Sequence, residues 1–407
     1  MNIRRLSALL LTGALAVGLS ACEPQETVPS AAPTAATPTS ESTPTPTPSL
    51  SPVEHDALKV GFLYPGDFSD VGYTHSLSQG ADKMQQALNL SDEQIVERYN
   101  VGTQEDCAQA LEALTDAGCQ LIFSTSAQFM DDVTEAAKKN PEVQFCQLAG
   151  NQAASSGLDN LHDFYAALYE GSYLTGIVAG LKAQELGNPR LGYVASVESA
   201  AVISDYTAFY LGAKSVWSDV VMDVTYTGSW TDTGLESQLV RALVNRGCGV
   251  LGQSSASVAA AATAEEMGAF HVGSYLDLQT MAPGAALISV DVDWGVYFTE
   301  AAQALLDGTA IPTDWCKGLA DDVVSLTPLN EDLSARGTIE AVSQAEEALK
   351  DGSLSVFTGP LSGKNAQGET LELAEGEIYP ESDVAHGGGT APTFDYIIDG
   401  ITVVSTQ

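Results

Sequence analysis

Apolar residues in this chain fall into short runs that end in small, polar or turn-forming residues, and longer amphipathic or small-residue stretches separate them. The clearest run is LKVGFLYPGDFSDVG at 58–72, and RLGYVASVESA at 190–200 echoes it. Such a run is what a buried parallel strand looks like when it delivers a loop to the carboxyl edge of a sheet. From 58 onward the pattern predicts strands at 59–64, 94–99, 119–124 and 143–148, alternating with helices at 74–88, 106–117 and 130–139. A long helix is predicted at 169–186, where Gly171, Gly176 and Gly180 suit close packing. Strands at 191–195, 220–226, 250–253 and 270–273 then alternate with helices at 203–215, 234–245 and 258–267. Short apolar strands joined by helices of this length imply right-handed βαβ units and mostly parallel sheets. The fold class is therefore α/β, with two Rossmann-like lobes.

An internal match supports duplication. ALTDAGCQLIFSTSA at 113–127 aligns with ALVNRGCGVLGQSSA at 242–256, an offset of 129, and the strand openings at Val60 and Leu191 differ by 131. In both copies a helix ends at glycine, a cysteine starts a strand and serines follow its far end. Beyond the second lobe, the pattern predicts a strand within 283–292, a helix at 293–306, an acidic helix at 334–349, and a closing hairpin in FDYIIDGITVV with Asp399-Gly400 at its turn.

The first 57 residues differ in character. A basic MNIRR, a short apolar LSALLLTGALAVGL and the sequence Leu19-Ser20-Ala21-Cys22 predict a signal peptide over 1–21. A cysteine in that place resembles the lipobox of bacterial lipoproteins, so Cys22 is the expected lipidation site. Residues 22–57, with PTPTPTP at their densest, predict an extended tether. The protein is then expected at the cell membrane, on its extracytoplasmic face, held by lipid.

Charge narrows the partners. Lys and Arg number 16 against 53 Asp and Glu, for a net charge of −37. A surface so acidic repels polyanions, so nucleic acid is not an expected partner. No GxSxG elbow, HExxH or P-loop is present, and the cysteines form no CxxC pair. No cofactor, metal or catalytic set is expected. Cys107, Cys119, Cys146, Cys248 and Cys316 allow disulfides but do not fix a pairing. Cys119 and Cys248 also read as buried thiols at matching positions of the two lobes.

Candidate chemistry gathers in the loops after the strands. These loops carry Asp67, Asp70 and Tyr73; Ser126 and Phe129; Tyr226, Trp230 and Asp232; Ser254; Tyr275 and Asp277; and Asp291, Asp293 and Trp294. Rings sandwich a flat ligand, and carboxylates accept hydrogen bonds from amino, imino or hydroxyl groups. The set suits a neutral, hydrogen-bond-donating ring such as a purine or nucleoside, although core packing also produces aromatics at any one of these positions.

GFLYPGDFSDVGYTHSLSQG at 61–80, GCQLIFSTSAQFMDDVTEAAKKNPEVQF at 118–145, YEGSYLTGIVAG at 169–180, LGYVASVESAAVISDYTAFYLGAKSV at 191–216, GSWTD at 228–232 and the Asp293-Trp294 pair together resemble the basic membrane protein/PnrA-type substrate-binding lipoproteins of ABC importers. The resemblance implies a type I periplasmic-binding-protein fold whose lobes, 58–165 with 292–320 and 166–291 with 321–407, are joined by hinge crossovers. It implies a monomer that closes on an adenine-like purine or nucleoside and delivers it to an ABC permease. By position, Tyr73 or Phe129 would stack from the first lobe and Trp230 from the second, with Asp70 beside Tyr73 and Trp294 on the hinge side. Nucleoside binders of this type carry a DxD-like pair where this chain has Ser274-Tyr275-Leu276-Asp277, and a lysine near the crossover, where this chain has Asp293 and no lysine nearby. Both departures make a bare nucleobase at least as good a fit as a nucleoside. A ligand-sensing receptor for a signalling partner and a secreted nucleosidase or other hydrolase are the alternatives.

Overall fold

The computed structural model describes residues 50–67, 72–386 and 388–405. Its first sheet is built from β1 (Val60–Leu63), β2 (Ile95–Arg98), β3 (Leu121–Ser124), β4 (Gln144–Leu148) and β5 (Leu161–Ala166), connected through α1 (Tyr73–Leu88), α2 (Gln104–Asp116), α3 (Met130–Lys139) and the single turn α4 (Ala153–Ser156). The second follows with α5 (Leu168–Leu186), β6 (Arg190–Ala195), α6 (Ala200–Val216), β7 (Val221–Tyr226), α7 (Thr233–Asn245), β8 (Val250–Gln253), α8 (Ala259–Glu266), β9 (Phe270–Ser274) and β10 (Ala286–Val292). The chain then returns to the first lobe for α9 (Gly295–Asp307), which packs on α1, and for β11 (Asp314–Lys317). It crosses again to β12 (Val324–Leu326) and α10 (Thr338–Lys350), and ends with β13 (Leu361–Lys364), β14 (Thr370–Leu373), β15 (Ile397–Ile398) and β16 (Ile401–Val403).

The first sheet has the order β11-β5-β4-β3-β1-β2 and is parallel throughout. The second has the order β12-β10-β9-β8-β6-β7-β16, parallel except where β12 runs against β10. Two mostly parallel sheets joined by three crossovers (after β5, β10 and β11) make the two-lobed α/β architecture of type I periplasmic binding proteins. Strand order reverses within each sheet at β1 or β6, and this places the loops at those carboxyl ends where ligands bind in open α/β sheets.

The two copies of the sequence repeat fold alike. A Cβ on Gly61 of β1 would meet Leu114 side-chain carbons at 3.1 Å and the Cys119 sulfur at 3.2 Å; one on Gly192 of β6 would meet Cys248 and Leu243 at 3.2 Å. A small strand residue, a cysteine and a leucine thus interlock at equivalent places in each lobe. All five described cysteines are free, and burial pushes the thiols up, to about 11 for Cys119 and about 12 for Cys248. They are packing groups.

Two readings of the pattern need correction. The strand β5 was not predicted, because His162 and Asp163 interrupt its apolar run. Both are buried: the His162 ring bonds Gln144 Oε1 at 2.9 Å, and Asp163 Oδ2 accepts from the Ala153 amide at 2.8 Å. The closing hairpin does not form either. Asp399-Gly400 turns the chain, but β15 pairs antiparallel with β13 while β16 pairs parallel with β7, so the turn passes the chain from a small third sheet to the second lobe. Gly400 has φ 95° and lies where a Cβ would fall 1.9 Å from the Tyr210 hydroxyl, so only glycine fits this handover.

Candidate functional site

The carboxyl-edge loops of the two sheets face each other and touch. A Cβ on Gly72, which precedes α1, would fall 1.9 Å from the carbonyl oxygen of Ala256, which follows β8. Next to this contact, Tyr73 of the first lobe meets Tyr275 of the second edge-on, with ring centroids 5.6 Å apart and planes at 81°. The Tyr73 hydroxyl donates to the Thr125 carbonyl at 3.2 Å. Tyr275 sits in the left-handed region at φ 64°, and its amide donates to the Val290 carbonyl at 2.7 Å. A tyrosine held there is strained, and surrounding structure has to enforce it.

Behind the pair lies a cluster of phenols and acids. Tyr165 ends β5, where the chain leaves the first lobe. Burial pushes its phenol well above the usual range, and the nearby Asp205 and Tyr73 add to the effect. Tyr275 is raised by burial and then by Tyr165, Tyr73, Asp205 and Asp291. These five residues therefore share one neighbourhood at the interlobe boundary, with Asp205 buried and the other four half-buried. Asp205, on α6, is 4 % exposed; the Ser172 hydroxyl from α5 donates to Oδ1 and the Tyr193 hydroxyl lies 3.2 Å from Oδ2. Burial raises this carboxyl to about 6, against the pull of those two hydroxyls. Burial also raises Asp291, whose Oδ1 accepts from the Val292 amide at 2.9 Å. The Ser255 hydroxyl in the loop after β8 and the Trp294 indole N–H on the hinge side are buried with no hydrogen-bond partner.

The residues singled out in the sequence divide. Tyr73 is at the boundary, as above. Trp294 is 2 % exposed, edge-on to Phe164 at 6.1 Å, and belongs to the hinge-side core. Trp230 stands 49 % exposed in the loop between β7 and α7, and Asp232 in that loop caps α7 by accepting from the Leu235 amide at 2.9 Å. Ser126 begins the loop after β3, and its carbonyl accepts from the Gln147 amide group at 2.9 Å. Ser254 is engaged structurally: its hydroxyl accepts from the Ser196 amide at 2.8 Å and ties β8 to β6. Asp277 is exposed and holds the Gln279 amide at 3.0 Å. Phe129 is fully buried in the outer core of the first lobe among Leu111, Val133 and Phe145, so the structure does not present its ring to the cleft. Asp293 does have a lysine beside it, contrary to the sequence reading: Lys83 from α1 reaches Oδ2 at 2.8 Å, a pair 210 positions apart in the chain. Asp70 and Cys22 lie outside the described residues.

Tyr165, Ser172, Tyr193 and Asp205 were not singled out. Asp205 had a legible signal, since an acid inside the apolar helix VISDYTAFYLGA is costly to bury unless it has work to do there.

Residues 57–353 match the family model described as "ABC transporter substrate-binding protein PnrA-like". A purine-binding protein of Brucella abortus is 32 % identical over 321 residues, covering 79 % of this chain and 88 % of that protein. Basic membrane protein A of Borreliella burgdorferi is 23 % identical over 241 residues, covering 58 % of this chain and 69 % of that one. Among solved structures, an ABC transporter solute-binding protein from Conexibacter woesei superposes with a TM-score of 0.58 at 17 % identity, over 73 % of this chain and 98 % of that chain. A transcriptional activator of the comK gene from Bacillus halodurans does so with a TM-score of 0.61 at 19 % identity, over 73 % and 99 %. At those identities the likeness is one of fold.

Proposed function

Because the chain belongs to the PnrA-like family of ABC transporter substrate-binding proteins, which bind solutes outside the cytoplasm and do not transform them, we propose that it takes a purine nucleobase or nucleoside between its lobes and presents it to an ABC permease. The observation that carries this reading is the boundary cluster: tyrosines from both lobes gather around the buried Asp205 and the half-buried Asp291. Rings supply flat apolar faces, and Asp205 and Asp291 supply acceptors for the N–H edge of a purine. Their negative charge disfavours phosphate or carboxylate ligands. The purine-binding relative, covered over most of its length, supports the same ligand class. Trp230, exposed in the loop after β7, would fold over the ligand as the lobes close, and lipidation at Cys22 would hold the protein beside its permease.

Mechanistically, the chain needs no reaction step. A ligand that touches both lobes shifts the open–closed equilibrium by its extra affinity for the closed state. Titration calorimetry with adenine, adenosine, guanosine and glucose tests the proposal. We expect saturable 1:1 binding of at least one purine and none of glucose, with Trp230→Ala weakening purine binding by at least about tenfold while the unfolding midpoint stays put, since stacking on one ring contributes on the order of 1 kcal/mol or more. Absence of purine binding would overturn the ligand assignment, and unchanged affinity in Trp230→Ala would remove that residue from the site.

A further inference from the structure

From Leu354 onward the chain lies beyond the residues 57–353 that match the family model. Near the crossovers, neighbouring residues of this segment hold opposite lobes. Glu381 is tied to the second lobe: its carbonyl accepts from the Tyr169 hydroxyl of α5 at 3.1 Å, and its carboxyl faces the Ser204 hydroxyl of α6. The next residue, Ser382, faces Cys316 of β11 in the first lobe. Thr390, fully buried, reaches further into that lobe. Its hydroxyl donates to Asp314 Oδ1 at 2.8 Å, where β11 begins, and lies 3.4 Å from the Asp163 carbonyl oxygen of β5. The chain then returns to the second lobe, where β16 pairs with β7. We propose that Glu381, Ser382 and Thr390 work as a clasp, which the second lobe carries and which grips β11 of the first lobe while the lobes are together.

The base of the clasp is firm. Glu381 Oε2 accepts from the Thr393 amide at 2.9 Å, the Thr393 hydroxyl at 3.0 Å and the Phe394 amide at 3.0 Å, so the segment leaves and rejoins the second lobe at one point. Ser382 has φ 48°, in the left-handed region that a serine seldom occupies, and it stands where the hold passes from one lobe to the other. The tip is the releasable end. It holds the first lobe through side chains, with the Thr390 hydroxyl on Asp314 as its main bond, whereas the other end is held by strand pairing. Asp314 and Lys317 bound β11, and the crossover follows Lys317. At about 3.3 Å per strand residue, the gripped carboxyl lies about 10 Å from that crossover. Rotation there swings Asp314 on a lever, and the bond is lost once donor and acceptor part beyond about 3.5 Å. A hydrogen bond to a carboxylate is about twice as strong as one between neutral groups, so its loss on opening favours the closed state.

The test compares the full-length parent with Thr390→Val, which removes the hydroxyl and keeps the bulk, and with Thr390→Ser, which keeps the hydroxyl. Small-angle scattering without ligand reads the opening, and stopped-flow displacement of adenine reads the release rate. We expect Thr390→Val to show a larger radius of gyration than the parent and to release adenine about tenfold faster, with Thr390→Ser within about twofold of the parent. Should Thr390→Val fail to fold, Asp314→Ala, which removes the acceptor at a half-exposed position, decides in its place. Parental dimensions and release in the variant that decides would overturn the clasp, as would a lowered melting temperature alone. So would a Thr390→Ser that behaves like Thr390→Val, since packing and not the hydroxyl would then be at work. The release arm rests on the purine reading and the scattering arm does not. If the parent bound no adenine, the purine would be lost and scattering alone would decide the clasp.

Discussion

At the scale of single residues, the chain buries ionisable groups of opposite tendency. Asp205 and Asp163 are raised to about 6 by burial, whereas burial lowers His162 to about 4 and His271 to about 3. Asp223 shows the other way of burying an acid, with Arg190 at 2.9 Å and Arg246 at 2.7 Å as paired cations. For the raised carboxyls the folded state holds a proton that the unfolded state has released between about pH 3.8 and 6, so their contribution is full at low pH and is lost as pH rises through 6. For the lowered imidazoles the unfolded state holds the extra proton, so their contribution grows as pH rises toward 6.5. The two sets oppose each other between about pH 4 and 6. Asp205→Asn removes one of the downward contributions and keeps the shape. Its stability should therefore rise more steeply with pH across that window than that of the parent protein, by up to about 1.4 kcal/mol per pH unit. Denaturant melts at half-unit pH steps measure this, and parallel curves would mean that Asp205 is not the buried, raised acid described.

At the scale of elements, the hydrophobic pattern was a good guide wherever strands were apolar and helices amphipathic. It failed where polar residues were paid for by partners distant in the chain. His162 and Asp163 hid β5, and the Asp399-Gly400 turn looked like a hairpin because nothing local reveals that β16 pairs with β7. The glycines of α5 were legible as a packing signal, but their partner helix was not. A Cβ on Gly176 would fall 2.0 Å from the Phe209 carbonyl oxygen on α6, and one on Gly212 of α6 would fall 1.9 Å from the Tyr173 carbonyl oxygen on α5. These are backbone atoms that no rotamer change can move aside. Gly176→Ala gains about 1 kcal/mol of helix propensity but must part the two helices, and overpacking of this kind costs about 1–3 kcal/mol or more. We expect a net loss near the upper end of that range, read as a lower denaturant midpoint with unchanged slope. Gly102→Ala, with nothing within 4 Å of the added carbon, should be close to neutral. Equal midpoints for the two variants would contradict this close approach of α5 and α6. The candidate site was half legible for the same reason: loops after strands announced Tyr73 and Tyr275, while Ser172 and Asp205 come together only through the packing of α5 against α6, and Tyr165 of β5 reaches Asp205 only across the lobe boundary.

At the scale of the whole molecule, the duplication visible in sequence has a mechanical consequence. Each lobe has its own sheet and its own interlocked glycine, cysteine and leucine, and three crossovers join the two, the arrangement that hinge closure around a ligand requires. Where the lobes meet, the contact of Gly72 with the Ala256 carbonyl and that of Tyr73 with Tyr275 both cross the boundary. The first of these admits no side chain. A Cβ at residue 72 would overlap Ala256 by far more than a van der Waals contact allows, so Gly72→Val should keep both lobes folded and hold them apart. Its ligand would then touch one lobe at a time and lose the differential affinity that drives closure. We expect purine affinity to fall by at least about tenfold, which corresponds to about 1.4 kcal/mol. We also expect the decrease in radius of gyration that adenine produces in the parent protein to be absent from the variant, as small-angle scattering would record. The thermal midpoint without ligand should be nearly unchanged, because the substituted position lies at the boundary and outside either core. If Gly72→Val bound purine and contracted like its parent, the arrangement with Gly72 against Ala256 would not be the ligand-holding one. The purine would then have to be gripped by one lobe alone.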